Sequence, residues 1–596
     1  MHSTDTAAHR FLPALYIGIF WLLVSALLLK QAWIPGAAPD LADNDDMMRL
    51  VQMRDLLAGQ SWFDLTQYRM APPDGVFMHW SRLIDAPLAA LTLLFKPFTG
   101  AATAEHLTLY VWPLLILLPL LYILCRLSRL LIGPDSLLPC LLLAALLTSV
   151  LTNFRPGQID HHNVQLLLTI ALLTALVSLP ATAAAICAGL IAALSLAVGM
   201  ETLPFVALGV LIVGVIWVWR GADAAPMLQA FGVSFAGATT FLFVLTVAPG
   251  RYLIVACDAL SSAQLTAISL GAVDCIALAG LSARLSSWPR RLTAAAFLGA
   301  LTIAIVAWAF PACVGDPYAN LPPRLIKHWL ADVGEAKPLL EMAMLRPAVT
   351  ATNVLYPLIM LGAMIMAWHH SDTAGRTRWS MAISFLTLAI TLSFWQVRVT
   401  QYSNLLGLPG AAWILTSLIR TSRDWAVGKR VLSVLAVWFV CNNITFYLML
   451  DNVVTPFAPP ARFSPEKDQC VSPQTMAELN SLPATATMIN LIDMGAPILT
   501  YTPHRVMAGP YHRNIAGNLL SIDTFILPPQ EAYQRARQSD ADHVIYCTKM
   551  GDVTDWAMSY PDSLIARLSA GTIPDWLEPV ALPAGSALRL FKIKQP

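Results

Sequence analysis

Asp160, His161 and His162 stand in "RPGQIDHHNVQLLL", directly ahead of an apolar run. A carboxylate beside two imidazoles offers the oxygen and nitrogen donors that suit Mn2+, Mg2+ or Zn2+. Residues of the same chemistry recur along the chain. "LADNDDMMRLVQMRDLL" carries Asp43, Asp45 and Asp46 at the head of a helical pattern. "PPDGVFMHWSRLID" forms a turn at Pro72, Pro73, Asp74 and Gly75 ahead of His79 and Trp80. "DVGEAKPLL" contributes Glu335 and "WQVRVTQYS" contributes Arg398. Ligands drawn from separate loops suit a catalytic divalent-metal site acting on a phosphorylated lipid. There the ion neutralises charge developing on the leaving oxygen, and an arginine clamps a further phosphate oxygen. The expected ligands are Asp45, Asp160, His162 and Glu335, with His79 as a further candidate. Each group also has a plainer reading. Aspartates stabilise helix N-termini, Asp-His-His can be capping and surface polarity, a loop glutamate can be solvated, and Arg398 can snorkel.

What must position these residues follows from composition. The chain has 596 residues, 57% hydrophobic and 12% charged. A soluble domain is nearer half apolar and a quarter charged, so this composition predicts a membrane protein. The net charge of +1 gives no electrostatic reason for a nucleic-acid partner. "FLPALYIGIFWLLVSALLLK" is long enough to span and no small-residue cleavage site follows, so it reads as an uncleaved anchor. Further apolar stretches at 106–127, 136–152, 163–179, 181–199, 202–219, 228–248, 267–283, 294–310, 350–368, 379–397, 402–419 and 430–450 bring the expectation to about thirteen transmembrane helices. Arginines concentrate in alternate loops, among them Arg126, Arg129, Arg220, Arg284, Arg290, Arg291, Arg376, Arg378, Arg420 and Arg423. The positive-inside rule then places the N-terminus in the cytoplasm of a multi-pass protein of the cell membrane, and the C-terminus outside.

Three regions are too polar to span, 31–105, 311–349 and 451–596, and all fall outside under that topology. The expected organisation is a transmembrane catalytic domain over 1–450, with the first two regions as outer loops, and an extracytoplasmic α/β domain over 451–596. Helical "PPQEAYQRARQ" alternates there with β-rich "DHVIYC" and "ALRLFKI". Cys470 and Cys547 both lie in that domain and can pair. The other seven cysteines lie mostly in or beside spans, without metal-site spacing.

The order of these motifs resembles the catalytic subunit of oligosaccharyltransferases, including the single-subunit bacterial and archaeal enzymes of the GT-C glycosyltransferase fold. "NDDMMRLVQMRDLL" resembles the family's first acidic motif, with Asp45 the best fit, and "PPDGVFMHWSRLID" is similar to its Pro-x-Gly…Trp segment. "GQIDHHNVQ" is similar to the Asp-His-His form of the second acidic motif. "VGEAKPL" resembles the glutamate motif of the fifth outer loop, and "VRVTQYS" the arginine segment at the lipid pyrophosphate. "NLIDMGAP" is similar to the Trp-Trp-Asp-Tyr-Gly motif, with Leu491 and Ile492 in place of the tryptophans and Asp493 kept.

The resemblance implies transfer of a sugar or oligosaccharide from a polyprenyl-phosphate or polyprenyl-pyrophosphate donor to a glycan, lipid or protein acceptor, among membrane lipids on the outer face. It implies a single inverting displacement in which Asp45 orients or deprotonates the acceptor. Asp160, His162 and Glu335 hold a divalent metal, Arg398 holds the leaving phosphate, and Asp493 contacts the acceptor. The altered motif argues against an Asn-x-Ser/Thr acceptor. The nearer rival is a GT-C enzyme adding one sugar from a lipid monophosphate to envelope lipid or polysaccharide. The distant rival is a transporter or flippase, which would place ionisable residues near the bilayer midplane, often within internal repeats.

Overall fold

The computed structural model describes residues 4–35, 37–41, 43–315, 318, 321–454 and 467–594. Every apolar stretch marked out by the sequence lies on a helix or a bent helix pair. Among the described residues, six stretches are long and apolar enough to cross a membrane, or up to eight if each bent pair is one span. The chain is a multi-pass membrane protein of predominantly helical fold. The stretch expected over 136–152 is a pair of short helices bent by 67°, and the one expected over 430–450 is bent by 70°. His162–Leu176 and Thr182–Val198 are apolar but shorter than a typical span.

The chain divides into two compact units. The first comprises Met1–Asp40, Trp80–Pro317 and Glu335–Ala461; the second comprises Leu41–His79, Tyr318–Gly334 and Arg462–Pro596. The first unit packs around a continuous apolar core that includes Leu117, Leu166, Ile170, Phe205, Phe385 and Leu405. Inside it the buried Trp217 indole donates to Ser282 Oγ at 2.8 Å. Cys257 and Cys313, on loops at the ends of two of its helices, form a disulfide.

The second unit is built on a five-stranded sheet. A short hairpin, β1 (Thr66–Gln67) and β2 (Val76–Phe77), precedes it in the chain. The sheet contains β3 (Thr487–Asn490), β4 (Arg505–Val506), β5 (His543–Cys547), β6 (Leu577–Val580) and β7 (Leu588–Ile593), in the order β4-β3-β5-β7-β6. β3 runs parallel to β4 and β5, while β7 runs antiparallel to β5 and β6. β3 and β5 are buried at every residue, as the central strands of a sheet covered on both faces must be. This is the small α/β domain expected at the C-terminus. Cys470 and Cys547 are joined within it.

The segment 41–79 is a structural part of this unit. Arg54 donates to the Thr500 carbonyl at 2.6 Å, and Arg69 donates to the carbonyls of Leu499 at 2.7 Å and Thr502 at 3.0 Å. Backbone bonds from Val506 N to Arg69 O and from Ala71 N to Val506 O, at 2.9 and 2.7 Å, extend the edge at β4. These carbonyls lie at the end of the helix Gly495–Tyr501, where the last turn leaves acceptors without partners inside the helix. Segment 321–334 is held by Arg324 donating to Asp523 at 2.7 Å and by His328 against the Tyr560 hydroxyl at 3.1 Å.

Removing a native disulfide typically costs about 2–5 kcal/mol, so Cys547→Ser is expected to lower the thermal midpoint of the purified protein. Peptide mass spectrometry after blocking free thiols should recover both Cys257–Cys313 and Cys470–Cys547. Recovery of all four cysteines as blocked thiols would contradict both pairings.

Candidate functional site

Asp160 and His161 occupy the loop between the 3-10 turn Thr152–Phe154 and the helix His162–Leu176. The loop is pinned from below, with Gly157 N donating to Leu109 O at 3.0 Å and Asn163 Nδ2 to the carbonyls of Gln158 and Asn153 at 3.2 and 3.3 Å. His161 is the N-cap residue, and its side chain makes no capping bond. Capping does explain Asp43, whose carboxylate accepts from the Asp45 and Asp46 amides at 2.9 Å each.

Three side chains converge at the loop. Asp160, His161 and His162 each offer a ligand atom, and these atoms lie within 4.8 Å of one another. His161 Nδ1 pairs with Asp160 Oδ1, and its Nε2 lies 3.5 Å from Glu201 Oε1. Burial opposes charge on this ring, but the Asp160 and Glu201 carboxylates outweigh it and hold the imidazole up at about 10. His162 is placed differently. Its Nε2 lies 3.3 Å from Asp160 Oδ2 and its Nδ1 lies 3.2 Å from Gln165 Oε1. Its side chain is 22% exposed, against 2% for His161, so of the two imidazoles His162 is the accessible one.

Glu201 enters on the 3-10 turn Met200–Thr202, where its Oε2 accepts from Gln165 Nε2 at 2.7 Å. Gly199 makes this approach feasible: a Cβ there would lie within 3.0 Å of both Gln165 and Glu201. Tyr402, on the helix Thr400–Thr421, directs its hydroxyl to Gln165 Oε1 at 3.4 Å and lays its ring on Phe205. Arg398 lies on the turn just ahead of that helix, donates to Gln396 Oε1 at 2.9 Å, and is within electrostatic reach of Glu201 and Tyr402. Trp80 places its indole 5.9 Å from the His161 ring.

The first unit therefore brings together Asp160, His162 and Arg398 of the expected residues, and adds Glu201, Gln165 and Tyr402. Glu335 is exposed on the turn Gly334–Ala336 and lies outside the three-residue group. The other expected residues belong to the second unit. Asp45 is in the first turn of the helix Asn44–Leu57. His79 sets its ring 4.8 Å from that of His512. Asp493 lies on the turn Ile492–Met494, half-buried between buried neighbours. Gly495 follows, at a point where a Cβ would collide with the Ala508 carbonyl.

The donor set fits a divalent metal. A tetrahedral ion with bonds of about 2.0–2.1 Å spans a donor–donor edge of roughly 3.3–3.4 Å. Asp160 Oδ2 and His162 Nε2, at 3.3 Å, have that separation.

No protein-family model matches the chain, and no curated protein matches it by sequence. Solved structures do match. The oligosaccharyltransferase AglB of Archaeoglobus fulgidus, in complex with an inhibitory peptide and a dolichol-phosphate, aligns over 90% of this chain and 70% of its own, with a TM-score of 0.67 at 13% identity. The chain shares the fold of this archaeal protein, the GT-C fold. The same archaeal protein tethered to an acceptor peptide containing an NVT sequon aligns over 97% of this chain and 74% of its own, with a TM-score of 0.65 at 11% identity. Its complex with Zn and sulfate aligns over 92% and 70%, with a TM-score of 0.60 at 13% identity. With sequence identity this low, the GT-C fold is shared through buried geometry far more than through residue type.

The crowding at Gly199 can be tested directly. Overpacking costs about 1–3 kcal/mol, so Gly199→Ala should lower the thermal midpoint. Gly214→Ala, where nothing lies within 4 Å of the added methyl, should not. Equal midpoints for the two variants would mean that the cluster is looser than described.

Proposed function

We propose that this protein is a membrane glycosyltransferase that moves a sugar or oligosaccharide from a polyprenyl-phosphate or polyprenyl-pyrophosphate donor to an acceptor on the extracytoplasmic face. The observation that carries the reading is the Asp160–His162 edge with Arg398 in the same cluster, on a GT-C fold. The archaeal neighbours were captured with a dolichol-phosphate, with an acceptor peptide, and with Zn and sulfate, which supports a lipid-linked donor, an acceptor and a divalent ion here. The face is supported by the disulfides, because Cys257, Cys313, Cys470 and Cys547 all fall in segments that the arginine distribution puts outside, where disulfides persist.

Asp160 and His162 would hold the ion, with Glu335 as a further ligand supplied by its loop. When bound, the ion supplies charge neutralisation at the phosphate oxygen that leaves. Arg398 binds a second phosphate oxygen through its planar fork of N–H donors. The acceptor's nucleophilic atom forms a bond to the anomeric carbon as the bond from that carbon to the phosphate oxygen breaks. The electron pair leaves with the phosphate, and configuration inverts. Asp45 is the proposed group that orients the acceptor and takes its proton, and Asp493 is its proposed contact.

The acceptor is proposed to be something other than an Asn-x-Ser/Thr peptide. Leu491 and Ile492 are only 0% and 4% exposed, and neither side chain has a hydrogen-bonding atom. A site that reads a hydroxyl does so by hydrogen bonds whose absence is costly. Neither side chain can make one.

Asp160→Asn is expected to abolish turnover while the protein still elutes as a single species, and EDTA should reproduce the loss until Mn2+ or Mg2+ is added back. Full activity in EDTA would remove the metal from the reading. With a lipid-linked donor, sequon peptides should stay unmodified beside envelope lipid or glycan extracts that become labelled, and Asp493→Ala should impair that labelling. Efficient peptide glycosylation would return the plain oligosaccharyltransferase reading.

A further inference from the structure

Gln165 and Glu201 are 36 residues apart in sequence, yet their side chains meet at 2.7 Å beside the Asp160–His162 edge. Glu201 has no place in the reaction outlined above. Its two oxygens nevertheless serve two different neighbours. Oε2 accepts from the Gln165 amide, while Oε1 faces His161 Nε2 at 3.5 Å. Each neighbour in turn touches one of the two groups proposed to hold the ion.

A carboxylate only accepts hydrogen bonds, so the Gln165 group facing Glu201 must be the NH2. The amide is planar, and its oxygen is thereby turned toward His162 Nδ1 at 3.2 Å. An amide oxygen only accepts, so Nδ1 must carry the hydrogen. In a neutral imidazole the lone pair then resides on Nε2. Nε2 is the nitrogen 3.3 Å from Asp160 Oδ2. The Tyr402 hydroxyl, 3.4 Å from the same amide oxygen, reinforces its orientation. Through the other arm, Glu201 steadies His161, whose Nδ1 holds Asp160 Oδ1 and so directs Oδ2 toward His162. The bare Cα of Gly199 leaves room for both arms.

We propose that Glu201 is the positioning residue of the metal edge. One carboxylate fixes the His162 tautomer through Gln165 and the Asp160 rotamer through His161. The proposal rests on the reading that Asp160 and His162 hold a divalent ion. Partners of metal ligands typically change metal affinity by roughly 10–100-fold when removed.

The test is a titration of the purified full-length protein in detergent with Mn2+ alone, reading free ion by electron paramagnetic resonance. Glu201→Gln keeps the side chain's size but can donate as well as accept, so it no longer dictates the Gln165 orientation. It is expected to weaken Mn2+ binding by roughly 10–100-fold, with Glu201→Asp recovering part of the loss. Turnover should show a matching rise in the Mn2+ needed for half-maximal rate, with the rate recovered at saturating Mn2+. Gln165→Leu, which cuts only the arm to His162, gives a second reading should Glu201→Gln fail to fold. Mn2+ affinity within about twofold of wild type in a folded variant would overturn the positioning role, since the loss expected for such a partner is at least tenfold. A wild-type protein that binds no Mn2+ would overturn the metal reading, and this proposal with it.

Discussion

Charge set among apolar helices must be paired, and in the first unit that requirement falls on Asp160. A carboxylate buried to this degree costs several kcal/mol unless a partner of opposite charge and further hydrogen bonds meet it. His161 is that partner, and it lies against the indole of Trp80 with almost no exposure. Once the pair is fixed, the surrounding order follows. Glu201 balances His161 from its far side, Gln165 bridges from Glu201 to His162, and the Gly157 and Asn163 bonds keep the loop from sliding along the helix. Few of these groups could be exchanged alone, because each leaves its neighbour's donor or acceptor exposed to a dry interior.

Much of this was legible in the sequence. Twenty-residue apolar runs mark helices because the bilayer core demands that length, and the Asp-His-His stretch was conspicuous because such residues rarely precede an apolar run without purpose. The alternation of helical and β-rich segments after 451 gave the α/β domain. Other features were hidden for physical reasons. Glu201 is joined to Gln165 and His161 only by the packing of helices remote in sequence, so it reads as one isolated acid at a helix end. Cys257 and Cys313 carry no spacing pattern, and their pairing depends on where two helices end. The bends within 134–154 and 427–454 could not be seen in hydropathy, which averages over the break. Among the aspartates at 43, 45 and 46, the plain reading of helix capping holds for Asp43.

Residues proposed for the donor fall in the first unit, and those proposed for the acceptor in the second. In the second unit Leu491 and Ile492 are buried side chains, where shape rather than hydrogen bonding decides what is tolerated. Around them the backbone stays closely set, as Gly495 against Ala508 shows.

The anchoring of segment 41–79 by the helix end at 499–502 has a consequence for synthesis. Arg54 and its acceptor, Thr500, are 446 residues apart. At about 5–20 residues per second, roughly 20–90 seconds separate their emergence from the ribosome. During that interval the early segment has its arginines and its hairpin but not the carbonyls and edge strand that complete it. The second unit is thus assembled from the chain's beginning and its end, and a fragment starting at 451 would lack the strip of backbone around Met70 that lies alongside Val506.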